Sequence, residues 1–306
     1  AYIPCNTTVV KWFQRKRGLA LGLATSGSSC GILVCPWLAA VCIARWGWRP
    51  VYLACGIIIM LLLNGLAPFM VRSPEQVGLT PNGERLPQSP ALPTPNSDTV
   101  SLKNWTLYEA RTTRSLWLLA ITLVVTFLTV PVPFVHIVVF AQDLGLSHAQ
   151  GALAVSAMWM SAVLGNLSLG PLSDRIGCRT GLAIGLSVQI AAYLLFFLAQ
   201  GRGGVYAGAV AFGFFYGGLT TLLSGLVGDF FGRLHAGSIT GFLFAGAGIL
   251  GAWGPMIAGY LRDVSGNYQL AFLYSAFTGG VALLLLLLTP RPTVPRPPGI
   301  SHTQTV

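Results

Sequence analysis

The stretch GLALGLATSGSSCGILVCPWLAAVCIARWG at residues 18–47 returns in altered form as GSITGFLFAGAGILGAWGPMIAGYLRDVSG at residues 237–266. The two copies align without a gap at an offset of 219 residues, and six small or helix-breaking residues keep their places. These are Gly18, Gly22, Gly27, Pro36, Ala39 and Gly47, which recur as Gly237, Gly241, Gly246, Pro255, Ala258 and Gly266. A repeat of this length in apolar sequence indicates duplication of a unit with several membrane spans.

The composition predicts that most of the protein surface does not face water. Hydrophobic residues make up 54% of the chain and charged residues 8%, whereas soluble domains contain about 25% charged residues. The net charge of +10 comes from Lys and Arg in short segments between apolar stretches, and these do not form a basic face with interleaved aromatic residues. We therefore expect an all-α membrane protein whose partner is the lipid bilayer, and no binding of nucleic acid.

Eight segments are long and apolar enough to cross a hydrocarbon core of about 30 Å, which takes about 20 helical residues. They cover residues 19–44, 51–71, 115–140, 149–169, 181–199, 205–227, 239–261 and 268–288. Residues 1–13 are too short to span and lead directly into a basic cluster, so they predict the inner part of a further helix. The polar, proline-rich residues 72–114 predict a linker between one bundle at residues 1–71 and a six-helix bundle at residues 115–289, followed by a tail at 290–306.

The positions of Lys and Arg predict the orientation, because cytoplasmic loops are enriched in these residues. If alternate loops lie inside, fourteen of the 18 basic residues are cytoplasmic, and Arg45, Arg49, Arg202 and Arg262 lie outside. This distribution predicts a multi-pass protein of the cell membrane with a cytoplasmic linker and a cytoplasmic C-terminus.

One predicted inner loop carries a sequence motif. GPLSDRIGCR at residues 170–179 resembles the Gly-x-Leu-x-Asp-Arg-x-Gly-x-Arg signature of the major facilitator superfamily. Its context is similar to the branch that holds monocarboxylate transporters and oxalate/formate antiporters, through WF at residues 12–13, RKRGLA at 15–20, GWR at 47–49, PE at 74–75 and GLTPNG at 78–83. The resemblance implies twelve helices in two halves of six, of which this chain would hold part of helix four and helices five to twelve.

The repeat leads to the same expectation without the resemblance. Four predicted spans precede the later copy within its own bundle, whereas only part of one span precedes the earlier copy. Since a duplicated ancestor supplies both copies with the same preceding spans, we expect a chain that is incomplete at its N-terminus.

The residue types of the motif loop, together with the resemblance, predict a gate. Asp174 can accept from amides at a neighbouring helix N-terminus, and Arg175 and Arg179 can reach carboxylates or C-terminal carbonyls of helices. Gly170 and Gly177 keep the loop compact. The alternative is a loop that is only a positive-inside signal with a tight turn.

Asp229 and Arg233 follow the next span that runs inward, and they are candidates for the contacts opposite this loop. An ordinary i,i+4 pair on the surface of one helix is the alternative.

The candidate solute contacts are polar residues on helices that line the central path in the resembled fold. They are Tyr2, Asn6, Thr122, Thr126, His136, Trp159, Asn166, Tyr216, Thr220 and Ser224. His136 is the one ionisable residue inside a predicted span, and it suits either a proton or anion partner or a hydrogen bond to a carbonyl freed by a proline. Asn166 lies where relatives that carry carboxylates often have an arginine, so it is either a link between helices or part of the cavity lining. Each of the others has the alternative of bonding the backbone.

These observations predict a secondary carrier that works by alternating access. The resemblance implies a small organic acid or related metabolite as its substrate, moved with protons or by exchange. A non-transporting receptor or scaffold of the same fold, and an inactive fragment, are the alternatives. We expect no enzyme, cofactor or metal site, because the few acidic residues lie in loops and the cysteines within the spans form no Cys-x-x-Cys pair.

Overall fold

The protein is described here from a computed structural model, which covers residues 2–13, 16–71, 73–80 and 104–292, with the backbone alone at residues 2 and 3. Within these ranges the chain forms twelve α-helices and two short 3-10 helices, Ala67–Phe69 and Pro74–Val77. The α-helices are α1 (Tyr2–Trp12), α2 (Arg17–Trp46), α3 (Trp48–Leu66), α4 (Leu107–Arg111), α5 (Arg114–Thr129), α6 (Pro131–Asp143), α7 (His148–Ile176), α8 (Cys178–Phe197), α9 (Arg202–Phe231), α10 (Ala236–Gly251), α11 (Trp253–Ser265) and α12 (Gln269–Leu288). Much of the predicted linker and tail, at residues 72, 81–103 and 293–306, lies outside the described residues.

Eight segments of the described chain are long and apolar enough to cross a membrane. They are Arg17–Trp46, Trp48–Phe69, Arg114–Asp143, His148–Ile176, Cys178–Phe197, Arg202–Phe231, Ala236–Ser265 and Gln269–Leu288. Each of the eight predicted spans overlaps one of these segments, so their number and their places are confirmed. The partial helix that residues 1–13 predict corresponds to α1.

Two of the spans are broken into two helices. α5 ends at Thr129 and α6 begins at Pro131, where a proline lacks the amide that would continue the hydrogen bonds of the helix. α10 ends at Gly251 and α11 begins at Trp253. The two breaks lie against each other, because a Cβ at Gly254 would clash with the Leu128 carbonyl. The sequence predicts a bend at Gly254 and Pro255, and the second break lies at the neighbouring Ala252.

The core of the molecule surrounds α9. α9 packs against α7 and α8, α12 packs against α8 and α5, and α10 packs against α5. The largest fully buried side chains are aromatic rings on α8, α9 and α12: Tyr193, Phe196, Phe212, Phe215, Phe231 and Phe272. Lipid tails are as apolar as these rings, so close packing rather than exclusion of water from apolar surface holds such helices together.

α2 joins α1 and α3 to this bundle. Its buried positions are Gly18, Leu21, Gly22, Thr25 and Ser29, which recur at helical spacing and so form one stripe. This stripe faces α7, with a smaller contact on α9. Beyond residue 31, most α2 residues are exposed. The contact between α2 and α7 therefore lies along the first part of α2.

Candidate functional site

Asp174 caps the N-terminus of α2 from another helix. One carboxylate oxygen accepts from the Gly18 amide at 2.7 Å, and the other accepts from the Leu19 amide at 3.1 Å. The first amides of a helix have no partner within that helix, and they carry the positive end of its dipole. The Lys16 side chain at the N-cap of α2 forms no capping hydrogen bond. The α2 terminus is thus capped by a residue of α7.

Glycines allow α2 and α7 to approach closely beside this cap. A Cβ at Gly18 would clash with the Gly170 carbonyl, and a Cβ at Gly22 would clash with the Asn166 carbonyl. Gly177 ends α7 at φ 84°, a conformation that side chains rarely adopt. The predicted loop at residues 170–179 is wrong, because α7 continues to Ile176 and α8 begins at Cys178, and Gly170 lies in the helix contact with α2. We call the end of the helices that carries Asp174 the inner end, because the basic residues predict it to be cytoplasmic.

A second contact at the inner end joins α2 to α9. Arg17 donates to the Asp229 carboxylate at 2.5 Å and to the Gly225 carbonyl at 3.1 Å, and its Nη2 lies 3.8 Å from the Cys178 sulfur. The Arg17 side chain is 11% exposed and that of Asp229 is 40% exposed. Asp229 therefore forms an ion pair with Arg17 of α2. The sequence did not identify Arg17 as its partner.

The other charged residues of the predicted gate have different surroundings. Arg179 donates to the Leu287 carbonyl at 2.6 Å, at the C-terminal end of α12. Within the described ranges, Arg175 and Arg233 take part in no ion pair. The Arg233 amide donates to the Asn104 side chain at 3.1 Å. Burial and the nearby Arg17 cation lower the pKa of the Arg233 guanidinium from its ordinary value.

A cavity of about 250 Å³ lies between α2 and the helices α5, α7, α9 and α10. Aromatic rings form part of its wall: Trp159 and Tyr216 meet edge to face at 5.6 Å, and Phe127 and Phe244 do so at 5.7 Å. The lining residues are Thr25, Ser28, Ser29, Ile32, Phe127, Trp159, Asn166, Tyr216, Gly217, Thr220 and Phe244. None of these described lining residues is charged, so this wall offers hydroxyl groups, one amide and ring faces.

Asn166 links the two sides of this cavity. Its side-chain oxygen accepts from the Thr25 hydroxyl at 2.7 Å, and its side-chain nitrogen donates to the Ser29 hydroxyl at 3.0 Å. Thr221 of α9 lies 2.9 Å from the Thr25 hydroxyl and 3.4 Å from the Asn166 oxygen. Asn166, Thr25, Ser29 and Thr221 are all buried. We call these four residues the Asn166 junction; it lies between the cavity and the contacts of the inner end.

His136 does not line the cavity. Its Nε2 lies 3.1 Å from the Pro255 carbonyl, and its Nδ1 lies 2.9 Å from the Tyr268 hydroxyl. A carbonyl only accepts, so Nε2 carries a proton and donates it to Pro255. His136 thus joins α6 to α11 and to the start of α12.

The remaining candidates also lie away from the lining. Thr122 and Thr126 are buried, and each donates to the carbonyl one turn earlier in α5, at 2.8 Å. Asn6 and Ser224 are buried, and neither the Asn6 amide nitrogen nor the Ser224 hydroxyl has a hydrogen-bond partner among the described residues. The Tyr2 side chain lies outside the described residues. Of the nine candidates whose side chains are described, four line the cavity: Trp159, Asn166, Tyr216 and Thr220.

Comparison with known families identifies this helical bundle. The profile of the Major Facilitator Superfamily matches residues 1–199 and, in a second overlapping match, residues 117–305. The chain belongs to the Major Facilitator Superfamily.

Members of the superfamily with curated names resemble most of the chain. Monocarboxylate transporter 12 of Xenopus laevis is 28% identical over 290 residues, which are 90% of this chain and 62% of that protein. Monocarboxylate transporter 13 of Bos taurus is 25% identical over 281 residues, which are 89% of this chain and 60% of that protein. The chain therefore spans less than two thirds of the length of these relatives.

A solved structure shows the superfamily fold. The Escherichia coli fucose:proton symporter FucP superimposes with a TM-score of 0.67 over 95% of this chain and 73% of that chain, at 16% sequence identity. The predicted all-α bundle of the major facilitator type, with about eight membrane spans, is confirmed.

The sequence alone did not identify three residues that form contacts at the site: Arg17, Thr25 and Ser29. Thr25 and Ser29 share the buried face of α2 with Gly18 and Gly22, so their spacing of four residues is the signal that could have identified them. Arg17 gives no such signal, because its partner Asp229 lies 212 residues away in sequence.

Proposed function

We propose that the protein is a secondary active transporter that moves a small organic acid or related metabolite by alternating access, coupled to protons or to exchange. The observation that carries the proposal is the position of the cavity. It lies between α2 and the helices α5, α7, α9 and α10, next to the contacts that close the inner end. A solute in this cavity reaches the inner side only after α2 separates from α7 and α9.

The relatives support the substrate class. The curated names of two relatives say that they are transporters of monocarboxylates, and the structural neighbour is named as a symporter of fucose and protons. Neutral hydroxyl and amide groups line the described wall of the cavity, and these can bind carboxylate or carbonyl oxygens by donating hydrogen bonds.

The gate and the orientation are part of the proposal. Residues 1–71 and 115–289 act as two bundles that rock against each other, and residues 72–114 join them on the cytoplasmic side. Asp174 and Arg17 hold the inner side shut, since each joins α2 to the other bundle by a charge-assisted contact. Arg175 contributes positive charge to the cytoplasmic loop.

Counterflow in proteoliposomes tests the proposal. The protein is expressed from its complete reading frame and loaded with unlabelled pyruvate, succinate or fucose, and uptake of the same labelled solute is followed at pH 6 and pH 7.5. Accumulation of either acid supports the transporter and its substrate class. Accumulation of fucose alone overturns the substrate class, and the absence of counterflow for every solute overturns the transporter. Asp263→Asn, an exposed change away from the cavity and the inner end, serves as the control.

A further inference from the structure

We propose that the Ser29 hydroxyl binds the transported solute, and that Asn166 is a positioning residue that orients Ser29 rather than a solute contact. The inference rests on the proposed transport function and assigns a contact to α2 within it. The chemical group it accommodates is an acceptor oxygen of the solute, in a carboxylate or a carbonyl.

The hydrogen bonds of Ser29 differ from those of serines that donate to a carbonyl of their own helix. Ser26, Ser187 and Ser275 donate to carbonyls three or four residues earlier, at 2.7, 3.0 and 2.8 Å. Such bonds satisfy the hydroxyl proton within the helix, and Ser161 satisfies its proton at the Val210 carbonyl of another helix. Ser29 instead accepts at 3.0 Å from the Asn166 amide, and no acceptor for its own proton is found among the described residues.

The free proton of Ser29 lies at the wall of the cavity. Ser29 is buried among protein atoms and contributes to the cavity lining. A hydroxyl has one proton and can both donate and accept, so accepting from Asn166 leaves the proton of Ser29 available. A buried donor without a partner costs free energy, which an acceptor oxygen in the cavity would remove.

Asn166 has its oxygen already engaged. That oxygen lies 2.7 Å from the Thr25 hydroxyl, which has one proton and also lies 2.8 Å from the Leu21 carbonyl, and the same Asn166 oxygen accepts from Thr221 at 3.4 Å. The amide nitrogen donates to Ser29. These bonds fix the amide plane across the contact between α7 and α2, and they hold the Ser29 oxygen in one position. Asn166 therefore acts on the solute through Ser29.

Kinetic analysis of counterflow tests this assignment, with labelled pyruvate, succinate or fucose as the probe, whichever the wild type exchanges fastest. Ser29→Ala is expected to raise KM about three- to tenfold, the effect of one lost hydrogen bond, and to leave the maximal rate within twofold. Ser29→Thr, which retains a hydroxyl, is expected to stay closer to the wild-type KM. Ser26→Ala on the same helix is the matched control, because Ser26 bonds its own backbone away from the cavity lining.

The relation between the two residues is tested by a double-mutant cycle. Asn166→Ala is expected to raise KM, and the double variant Ser29→Ala/Asn166→Ala is expected to have the KM of Asn166→Ala alone, since both changes remove the same contact. An unchanged KM in Ser29→Ala, or effects of the two changes that multiply, overturns the inference while wild-type counterflow still upholds the transporter. If the wild type exchanges none of the probes, both proposals fail.

Discussion

At the scale of single residues, one carboxylate of α7 caps the N-terminus of α2. Asp174 accepts from the Gly18 and Leu19 amides and so satisfies two donors that α2 cannot satisfy itself. The charge of Asp174 also faces the positive end of the α2 dipole. Such an interaction contributes about 0.3–2 kcal/mol, depending on its exposure to water.

Asp174→Asn is expected to open the inner end more often. The amide oxygen still accepts one hydrogen bond, but the negative charge is lost. Loss of a dipole interaction of about 0.3–2 kcal/mol should raise the open fraction about two- to thirtyfold. The measurement is the rate at which an impermeant thiol reagent labels Ser224→Cys in inside-out vesicles. The six native cysteines are replaced for this purpose. Asp263→Asn, an exposed carboxylate elsewhere, should leave the rate unchanged, and an equal rate in Asp174→Asn would contradict the capping role.

At the scale of whole helices, the contact between α2 and α7 depends on the absence of side chains. Gly18 meets the Gly170 carbonyl, whereas an added Cβ at Gly27 of the same helix would have no neighbour within 4 Å. The two glycines belong to the same sequence repeat, but only one of them lies in the contact. This pair provides a matched comparison within one element.

Gly18→Val is expected to hold α2 away from α7 and to lower the midpoint of thermal unfolding by several degrees, since overpacking typically costs about 1–3 kcal/mol. Gly27→Val should have a smaller effect, because its side chain enters open space. Thermal unfolding of detergent-solubilised protein, followed by fluorescence, measures both. Equal destabilisation by the two variants would show that the close approach at Gly18 does not decide the stability.

The helices α6 and α11, each the outer half of a broken span, are joined to each other by an ion pair and a hydrogen bond. Arg262 of α11 donates to both carboxylate oxygens of Asp143 at the end of α6, at 3.1 and 3.2 Å. His136 adds a bond from α6 to the Pro255 carbonyl of α11. The breaks at Val130 and Ala252 lie at the other ends of these two helices. We expect α6 and α11 to move together.

A reducible bifunctional thiol reagent that links Asp143→Cys to Arg262→Cys, in a background without the native cysteines, should therefore preserve at least half of the counterflow rate. The same variant treated with dithiothreitol is the control. If the cross-linked form is inactive and reduction restores the rate, α6 and α11 separate during transport.

The spans were predictable from the sequence, whereas the helical conformation of the motif on both sides of Gly177 and the pairings across the bundle were not. Runs of about 20 apolar residues identify the spans through hydropathy alone, which needs no knowledge of neighbours. The partners of Arg17, Thr25 and Ser29 depend on how α2 rotates and slides against α7 and α9. The position of α2 against α7 follows from close packing at Gly18 and Gly22. The sequence identifies these glycines as small residues but does not identify the backbone atoms that they contact.

The hydrogen-bond partners of His136 could not be predicted from the sequence either. The sequence identifies an ionisable residue near prolines within a predicted span. It does not show that both ring nitrogens are engaged with Pro255 and Tyr268. A distance of 132 residues in sequence separates His136 from Tyr268, so only the tertiary structure brings them together.

At the scale of the whole molecule, the orientation in the membrane stays a prediction. Fourteen of the 18 basic residues lie on the side of the inner end if the spans alternate. An epitope placed after Val306 should therefore be cleaved by protease in inside-out vesicles and protected in intact cells. An epitope in the loop that joins α8 to α9 should show the opposite pattern. Cleavage of the C-terminal epitope in intact cells would reverse the assignment.

The contacts that join α2 to α7 and α9 differ in whether they carry charge: the Arg17–Asp229 pair is ionic, and the Asn166 junction is neutral. Arg17 and Asp229 carry full charges, and Asp229 is partly open to water, so dissolved ions screen their attraction over a length of about 8 Å at 0.15 M. The Asn166 junction consists of an amide and hydroxyl groups, whose strength does not depend on dissolved ions and whose separation moves no net charge across the membrane potential. A rise in salt concentration at the inner end thus weakens the ion pair and leaves the Asn166 junction intact, which sets an upper bound on the part of the α2 contact that ions can remove.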